Sequence, residues 1–423
     1  MVRTASWIAL TTLCVSLALM PGGASDFTLE IFGNANMDET IDEQDIEYVR
    51  GIIDGTNDET KLADANNDGE IDEKDIAQIE LIIAGEETEL IVVDFADRIV
   101  KVNKPVERVV ISVSGGADAA AILGVKDKVV GVPDYIVKRK DWGSVSLFPE
   151  LAELPSIGNH ADPDVEAILS LHPDFVLLYS DSLLSGLYPA DPLETGGIPA
   201  IYLDLWNSSV MNEEMKMLGY IFGKRSEAEE WIDFCEGYEE YFRDRTDGLS
   251  QAERPKVYVE DWDDYYACGD GGYYDRLCSL AGGKNIASGL KTDEWGFLTI
   301  DKEFVIEQNP DIIIRTLYSG VGYATDDTSA MKATREEILS RPEFVGTAIS
   351  AVEDERCYLH GGFEQMGQHI ITTAYFAKWI QPDLFEDLDP TAVHQEYLDM
   401  FFKDANFNVY EHGAFVYPPP EEW

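Results

Sequence analysis

Two twelve-residue acidic loops begin thirty residues apart, at Asn34 and Asp64. The first runs Asn34-Ala-Asn36-Met-Asp38-Glu39-Thr40-Ile41-Asp42-Glu43-Gln44-Asp45, and the second Asp64-Ala-Asn66-Asn67-Asp68-Gly69-Glu70-Ile71-Asp72-Glu73-Lys74-Asp75. Oxygen-bearing side chains stand at loop positions 1, 3, 5, 9 and 12 of both. A hard cation such as Ca²⁺ gathers roughly six to eight oxygens around one centre, and this alternation supplies them. The candidate ligands are Asn34, Asn36, Asp38, Thr40, Asp42 and Asp45 in the first loop. In the second they are Asp64, Asn66, Asp68, Glu70, Asp72 and Asp75. Glu39 takes the sharp turn that Gly69 makes in the second copy, at a cost of about 1 kcal/mol relative to glycine. With Asn34 replacing an aspartate at position 1, two calcium sites are expected, the second tighter.

These loops need elements to hold them. Ile46, Val49, Ile52 and Ile53 follow the first loop at helical spacing, and Ile76, Ile79, Ile82 and Ile83 follow the second. Gly55 and Gly85 end the two predicted helices. Residues 26–87 therefore read as a small all-α calcium-loop module, with Glu86–Glu89 as a short acidic linker. From residue 88 to 418 strands and helices alternate. Strands are predicted at Arg108–Ser112, Val129–Val132, Phe175–Tyr179 and Ala200–Leu203, with helices between them. Met211–Arg245 lacks proline and reads as one long helix. The pattern then restarts with strands at Lys256–Glu260 and Asp311–Arg315. The restart is an internal repeat: Glu166-Ala-Ile-Leu-Ser-Leu-His172-Pro173-Asp174 matches Glu303-Phe-Val-Ile-Glu-Gln-Asn309-Pro310-Asp311. The expected fold is α/β, with two Rossmann-like lobes bridged by one long helix and a ligand cleft between them. Lobe one spans about 105–209, the bridge about 210–247, lobe two about 255–385, and a C-terminal helix about 388–405.

Residues just after strand ends face such a cleft. In lobe one these are Ser112, Ser114, Asp134, Tyr135, Tyr179, Ser180 and Trp206. In lobe two they are Asp261, Trp262, Tyr265, Tyr266, Trp295, Arg315, Thr316, Tyr318 and His360. The aromatic density suits a large, partly apolar chelate or macrocycle that stacks on flat faces. Arg315 is the candidate for a ligand carboxylate, with pairing to a neighbouring acid as its alternative role. Of the histidines at 160, 172, 360, 369, 394 and 412, none has close metal-ligand spacing. His160 and His360 lie on predicted loops near the cleft.

Composition narrows the classes. The formal charge is −50, and residues 26–87 alone carry 20 Asp/Glu against 3 Lys/Arg. No basic stretch exists to track a phosphate backbone, so nucleic acid and anionic lipid are poor partners. Arg3, the apolar run Trp7–Met20 and the small residues after Pro21 read as a secretory signal cleaved near Ala24/Ser25. Cys14 lies within that run and lacks a lipidation box. Cys235, Cys268, Cys278 and Cys357 remain, as disulfides or buried thiols. The chain lacks a Gly-x-Ser-x-Gly elbow, a His-Glu-x-x-His site and a phosphate-binding Gly-x-x-x-x-Gly-Lys-Ser/Thr loop. No enzyme activity and no redox or nucleotide cofactor is expected.

Two resemblances follow from these residues. Residues 26–87 resemble a type I dockerin, because Asp45 and Asp75 close the loops where an ordinary EF-hand has Glu, and no full helix precedes the first loop. The resemblance implies calcium and a cohesin partner, with Glu43-Gln44 and Glu73-Lys74 at the positions that vary with partner choice. Residues 89–418 resemble the substrate-binding proteins of iron-siderophore, haem and cobalamin ABC importers. The matching stretches include Pro105–Ser112, Val129–Pro133, Leu154–Gly158, Ala281–Asn285, both copies of the repeat and Ala377–Phe385. That resemblance implies a monomer that captures an iron complex or corrinoid. It also implies that Glu166 and Glu303, one on each lobe, meet arginines of the importer permease. Together they imply a secreted or cell-surface protein mounted through its calcium loops. The alternatives are a dockerin-borne surface enzyme and a structural surface protein with a vestigial cleft.

Overall fold

In lobe one a four-stranded sheet runs in the order Val129–Gly131, Val109–Ile111, Phe175–Tyr179, Ala200–Leu203, parallel throughout. In this computed structural model the described residues are 27–113, 115–139, 143–160, 162–179, 190–293, 296–361 and 366–423. The expected signal and its cleavage point lie outside them, as do Ser114, Ser180 and Trp295. Phe175 to Tyr179 are buried on both faces, as helix-covered parallel strands must be.

Lobe two repeats the scheme with an extended edge. Lys256–Glu260, Ile312–Leu317 and Cys357–Gly361 pair in parallel. Tyr266–Cys268 and Phe297–Thr299 extend the sheet antiparallel on one side, and Val416–Tyr417 closes the other. The internal repeat has a structural job. His172 and Asn309 both sit in the left-handed region, at φ 48° and 47°. The aspartate two residues on clamps the start of the neighbouring strand. The Asp174 carboxylate accepts from the amides of Glu107 and Arg108, and the Asp311 carboxylate from the amide of Lys256. Each Pro-Asp turn thus fixes a helix end to a strand start.

The single long bridge is not formed. Gly223 takes φ 66° and ends a helix over Met211–Phe222, and a second runs Arg225–Thr246. They fold back on each other: Lys216 pairs with Glu229, and Asn212 with Glu236. A Cβ at Gly219 would stand 2.7 Å from that of Ala228, so the two backbones approach closely only because both residues are small. Arg225–Thr246 alone is the interlobe spine. Its Phe234 packs on Tyr397 and Phe401 of the C-terminal helix Pro390–Phe401, and Phe242 on Phe385. No described helix is long and apolar enough to cross a membrane.

Each acidic loop leads into a helix, Glu43–Ile53 and Glu73–Ala84. Asp42 and Asp72 cap them, and Asp45 and Asp75 return bonds to the cap amides. The two helices pack through Ile46, Val49, Ile76 and Ile79. Glu86–Glu89 is no free tether: Glu87 is buried in an ion pair with Lys104, and Glu89 begins a strand. The Phe32 amide bonds to the Ile91 carbonyl at 2.9 Å, and the Val93 amide to that of Glu30 at 2.8 Å. The Ile41 amide reaches the Tyr220 hydroxyl at 3.0 Å. The module is built into the side of lobe one. The four cysteines expected in the mature chain are buried free thiols.

Candidate functional site

The carboxyl ends of the parallel strands of both lobes open onto one cavity of about 250 Å³. Lobe one contributes Tyr179 and Trp206. Lobe two contributes Asp261, Trp262, Tyr273, Tyr274, Phe297, Thr316, Tyr318 and His360, and the helix Gln368–Ile380 adds Gln368 and Thr372. Lobe two therefore supplies most of the chemistry. Interlobe hydrogen bonds of 3.3 Å join Arg139 to the Tyr318 carbonyl, Arg276 to Asn207, and the Met366 amide to Asp118.

The wall is a run of interlocking rings. Trp262 tilts over Tyr266 at 4.9 Å between centroids and meets Tyr318 at 6.1 Å, while Tyr266 stacks on Phe297 at 5.2 Å. Tyr266 thus backs the wall, as the second layer behind Trp262 and Phe297. Trp262 is half exposed toward the opening. His360 bonds through Nε2 to the Thr316 hydroxyl at 3.0 Å and packs edge-on against Tyr274 and Phe376. Burial pushes its imidazole down to about 3, so it is neutral at physiological pH.

Six expected cleft residues do not line the cavity: Ser112, Asp134, Tyr135, Tyr265, Arg315 and, one layer back, Tyr266. Arg315 is buried and does not line the cavity. Its guanidinium pairs with Glu260 and donates to the carbonyls of Trp262 and Asp263. The reason is local: Glu260 ends the adjacent parallel strand directly opposite Arg315. Arg315 is thus a positioning residue that holds the Trp262 segment. Tyr265 bonds to Glu343 and covers the Arg341 guanidinium, inside lobe two. Tyr135 packs edge-on against His160 in lobe one. Conversely, Tyr273, Tyr274, Phe297, Gln368 and Thr372 were missed. The glycine pair Gly271-Gly272 ahead of a helix marks a close approach that could have exposed Tyr273 and Tyr274.

Asp261 is fully buried against the cavity, with the Tyr318 hydroxyl and the Trp262 amide as its loosely placed donors. Burial pushes its carboxyl up to about 6, with the Tyr318 hydroxyl and the Arg315 charge offsetting only part of the effect.

Away from the cleft, Glu166 and Glu303 are each the second residue of a short helix, Val165–Ser170 and Lys302–Gln308, and both are exposed. In the acidic loops, backbone amides orient the carboxylates. Asp45 accepts from Asn36 and Asp42, and Asp75 from Asn66 and Asp72. Asn34 Oδ1 and Asn66 Oδ1 are buried acceptors without a hydrogen-bond partner. An all-oxygen donor set with orphaned acceptors fits a hard cation. The copies differ, since Asn34 ties its amide to the carbonyls of Leu29 and Asp38, and Lys74 lies across Asp68 and Asp72. Among the described residues no three His, Cys, Asp or Glu side chains converge as a metal cluster.

Residues 109–360 match the family model described as periplasmic binding protein. The chain belongs to that family. It is 23% identical over 220 residues to an uncharacterized ABC transporter substrate-binding lipoprotein, YvrC, of Bacillus subtilis, covering 51% of this chain and 66% of that one. It is 25% identical over 165 residues to the high-affinity heme uptake system protein IsdE of Staphylococcus aureus, covering 38% and 54%. The chain thus spans between half and two thirds of these relatives. Among solved structures, the TroA-like periplasmic binding protein FepB from Veillonella parvula superposes with a TM-score of 0.64 at 22% identity, covering 77% of this chain and 98% of that one. MolA of Haemophilus influenzae, bound to molybdate, gives 0.60 at 21%, covering 74% and 98%. These confirm the two-lobed α/β fold. The curated homologues are transport binding proteins, not enzymes.

Proposed function

We propose that this binding protein captures an iron complex or corrinoid outside the cytoplasm and delivers it to an ABC importer. The observation that carries the reading is the aromatic cavity at the carboxyl ends of both lobes' strands. Flat rings on a hinged cleft hold a chelate by stacking, and closure over it gives the permease a shape to recognise. Glu166 and Glu303 register that closure. Each is an exposed carboxylate on its own lobe, free to fork with a permease arginine. The acidic loops bind two calcium ions and serve as a dockerin that mounts the protein on a cohesin. The buried carboxylates of Asp45 and Asp75 and the orphaned amide oxygens of Asn34 and Asn66 support this reading. Calcium would add positive charge that binds each loop's oxygens together.

Titration of tryptophan fluorescence with haem, a ferric siderophore and a corrinoid tests the capture reading. Trp206 and Trp262 line the cavity, so occupancy must change their emission. A saturating change at micromolar ligand is expected with at least one of the three, and flat titrations with all three refute it.

A further inference from the structure

The cleft contains a buried carboxylate and no described basic residue. The nearest guanidinium, Arg315, is committed to Glu260 and to two backbone carbonyls. Arg276 and Arg139 bind Asn207 and the Tyr318 carbonyl at the cleft margin, and neither lines the cavity. His360 is neutral and bonded to Thr316. Among the described lining residues an anionic chelate finds no positive side chain to offset the cost of desolvating its charge.

The opposite charge meets a prepared site. Trp262, Tyr274, Phe297 and Tyr318 present ring faces and edges around the space that Asp261 borders. Ring faces are negative, and a cage of them holds an organic cation without stripping it of all electrostatic support. Asp261 is fully buried, and the Tyr318 hydroxyl, the Trp262 amide and the nearby Arg315 charge compensate it only in part, so a ligand that supplies positive charge gains from it. The raised carboxyl of Asp261 accords with a group waiting for that charge.

We infer that the cleft selects a ligand presenting positive charge, held by Asp261 within an aromatic cage, and discriminates against anionic chelates. The inference deepens the capture reading and rests on it for the cleft being the ligand site. It narrows the class to cationic or neutral complexes and to organic ammonium ions.

The test uses the full chain and a charge series. One probe is ferrioxamine B, a ferric trihydroxamate with a free ammonium and a single positive charge. The second is ferrioxamine E, its neutral ring-closed counterpart. The third is ferric enterobactin, a triply negative tris-catecholate, and the fourth is tetrapropylammonium, which contains no chelate. Fluorescence titration should give the positive trihydroxamate at least about tenfold over the neutral ring, the size of one charged buried contact, with the catecholate weakest. Asp261→Asn should bring the two hydroxamates to equal affinity. A catecholate that binds as tightly as ferrioxamine B overturns the inference but leaves the capture reading standing. So does an unchanged B-to-E ratio in the variant. Saturation by tetrapropylammonium with every chelate silent supports the inference and overturns chelate capture. Silence with all four probes overturns both. The wild-type ratio decides the matter even where the variant fails to fold.

Discussion

Replacing Glu260 with Gln should cost lobe two about 3–5 kcal/mol, the usual loss when one member of a buried charge network is removed. Glu260 has no exposed surface. It receives both terminal nitrogens of Arg341 at 2.8 Å, a contact from Arg315, the Tyr258 hydroxyl at 2.6 Å and the Tyr265 amide at 3.2 Å. Gln keeps the shape but removes the charge and turns an NH₂ toward a guanidinium. Asp264 and Glu337 also touch Arg341, but both are more than half exposed, so their screened charge recovers little. Because Arg315 also holds the Trp262 and Asp263 carbonyls, the variant should weaken ligand binding too. Burial alone would raise the Glu260 carboxyl, but Arg341 and Arg315 together hold it below the ordinary 4.5. Its contribution is therefore complete above that value and is lost as pH falls through the lower folded value. Urea unfolding followed by circular dichroism measures the loss at neutral pH, with the slope unchanged. A shift below about 1 kcal/mol, or an acid limb identical to wild type, would refute the network argument.

Charge reversal at both Glu166 and Glu303 should abolish ligand-dependent stimulation of the importer ATPase while leaving ligand affinity unchanged; retained stimulation refutes the docking role. Calorimetric calcium titration should resolve two unequal sites, and Asn34→Asp should narrow the gap by tightening the weaker one, since the added charge on the ion outweighs the two hydrogen bonds the Asn34 nitrogen gives to Leu29 and Asp38. A single-step titration in the wild type refutes the inequality. Gly219→Val should destabilise lobe one by about 1–3 kcal/mol, because a Cβ there lies 2.7 Å from Ala228. An unchanged urea midpoint would show that the helical hairpin yields without strain.

What the sequence revealed depended on whether an element carries its own period. Both loop helices, the parallel strands and the Glu-to-Pro-Asp repeat were legible because caps, β-branched runs and a left-handed turn residue are local signals. His172 and Asn309 are chemically different yet share one backbone conformation, which the repeat exposed. The break at Gly223 was not legible. Met211–Arg245 contains Gly219, Gly223 and Gly237, each tolerable inside a helical pattern, and only the close approach of Gly219 to Ala228 makes a fold-back at Gly223 favourable. The cleft divided the same way. Tyr179, Trp206, Trp262, Tyr318 and His360 follow strand ends and line it. Arg315 also ends a predicted strand, but the residue opposite it in the parallel register is Glu260. Cross-strand pairing is long-range information, and it turned an expected ligand contact into a support.

The charge of the whole chain and the chemistry of the cleft act in the same direction at different ranges. A formal charge of −50 repels anions and draws cations toward the surface. Salt screens that field over about 8 Å, so it governs approach rather than residence. Residence is decided inside the cavity, where screening fails and a single carboxylate counts for more than dozens outside. A two-lobed fold is indifferent to ligand charge. Selection must therefore come from side chains, and here it comes from one polar substitution pattern: Arg315 turned away into lobe two, and Asp261 left facing the rings. Had Arg315 faced the cavity, the same aromatic wall would suit an anion. Because Glu260 recruits it, the cleft keeps its negative charge, and the network that stabilises lobe two also sets the sign of what the cleft can hold.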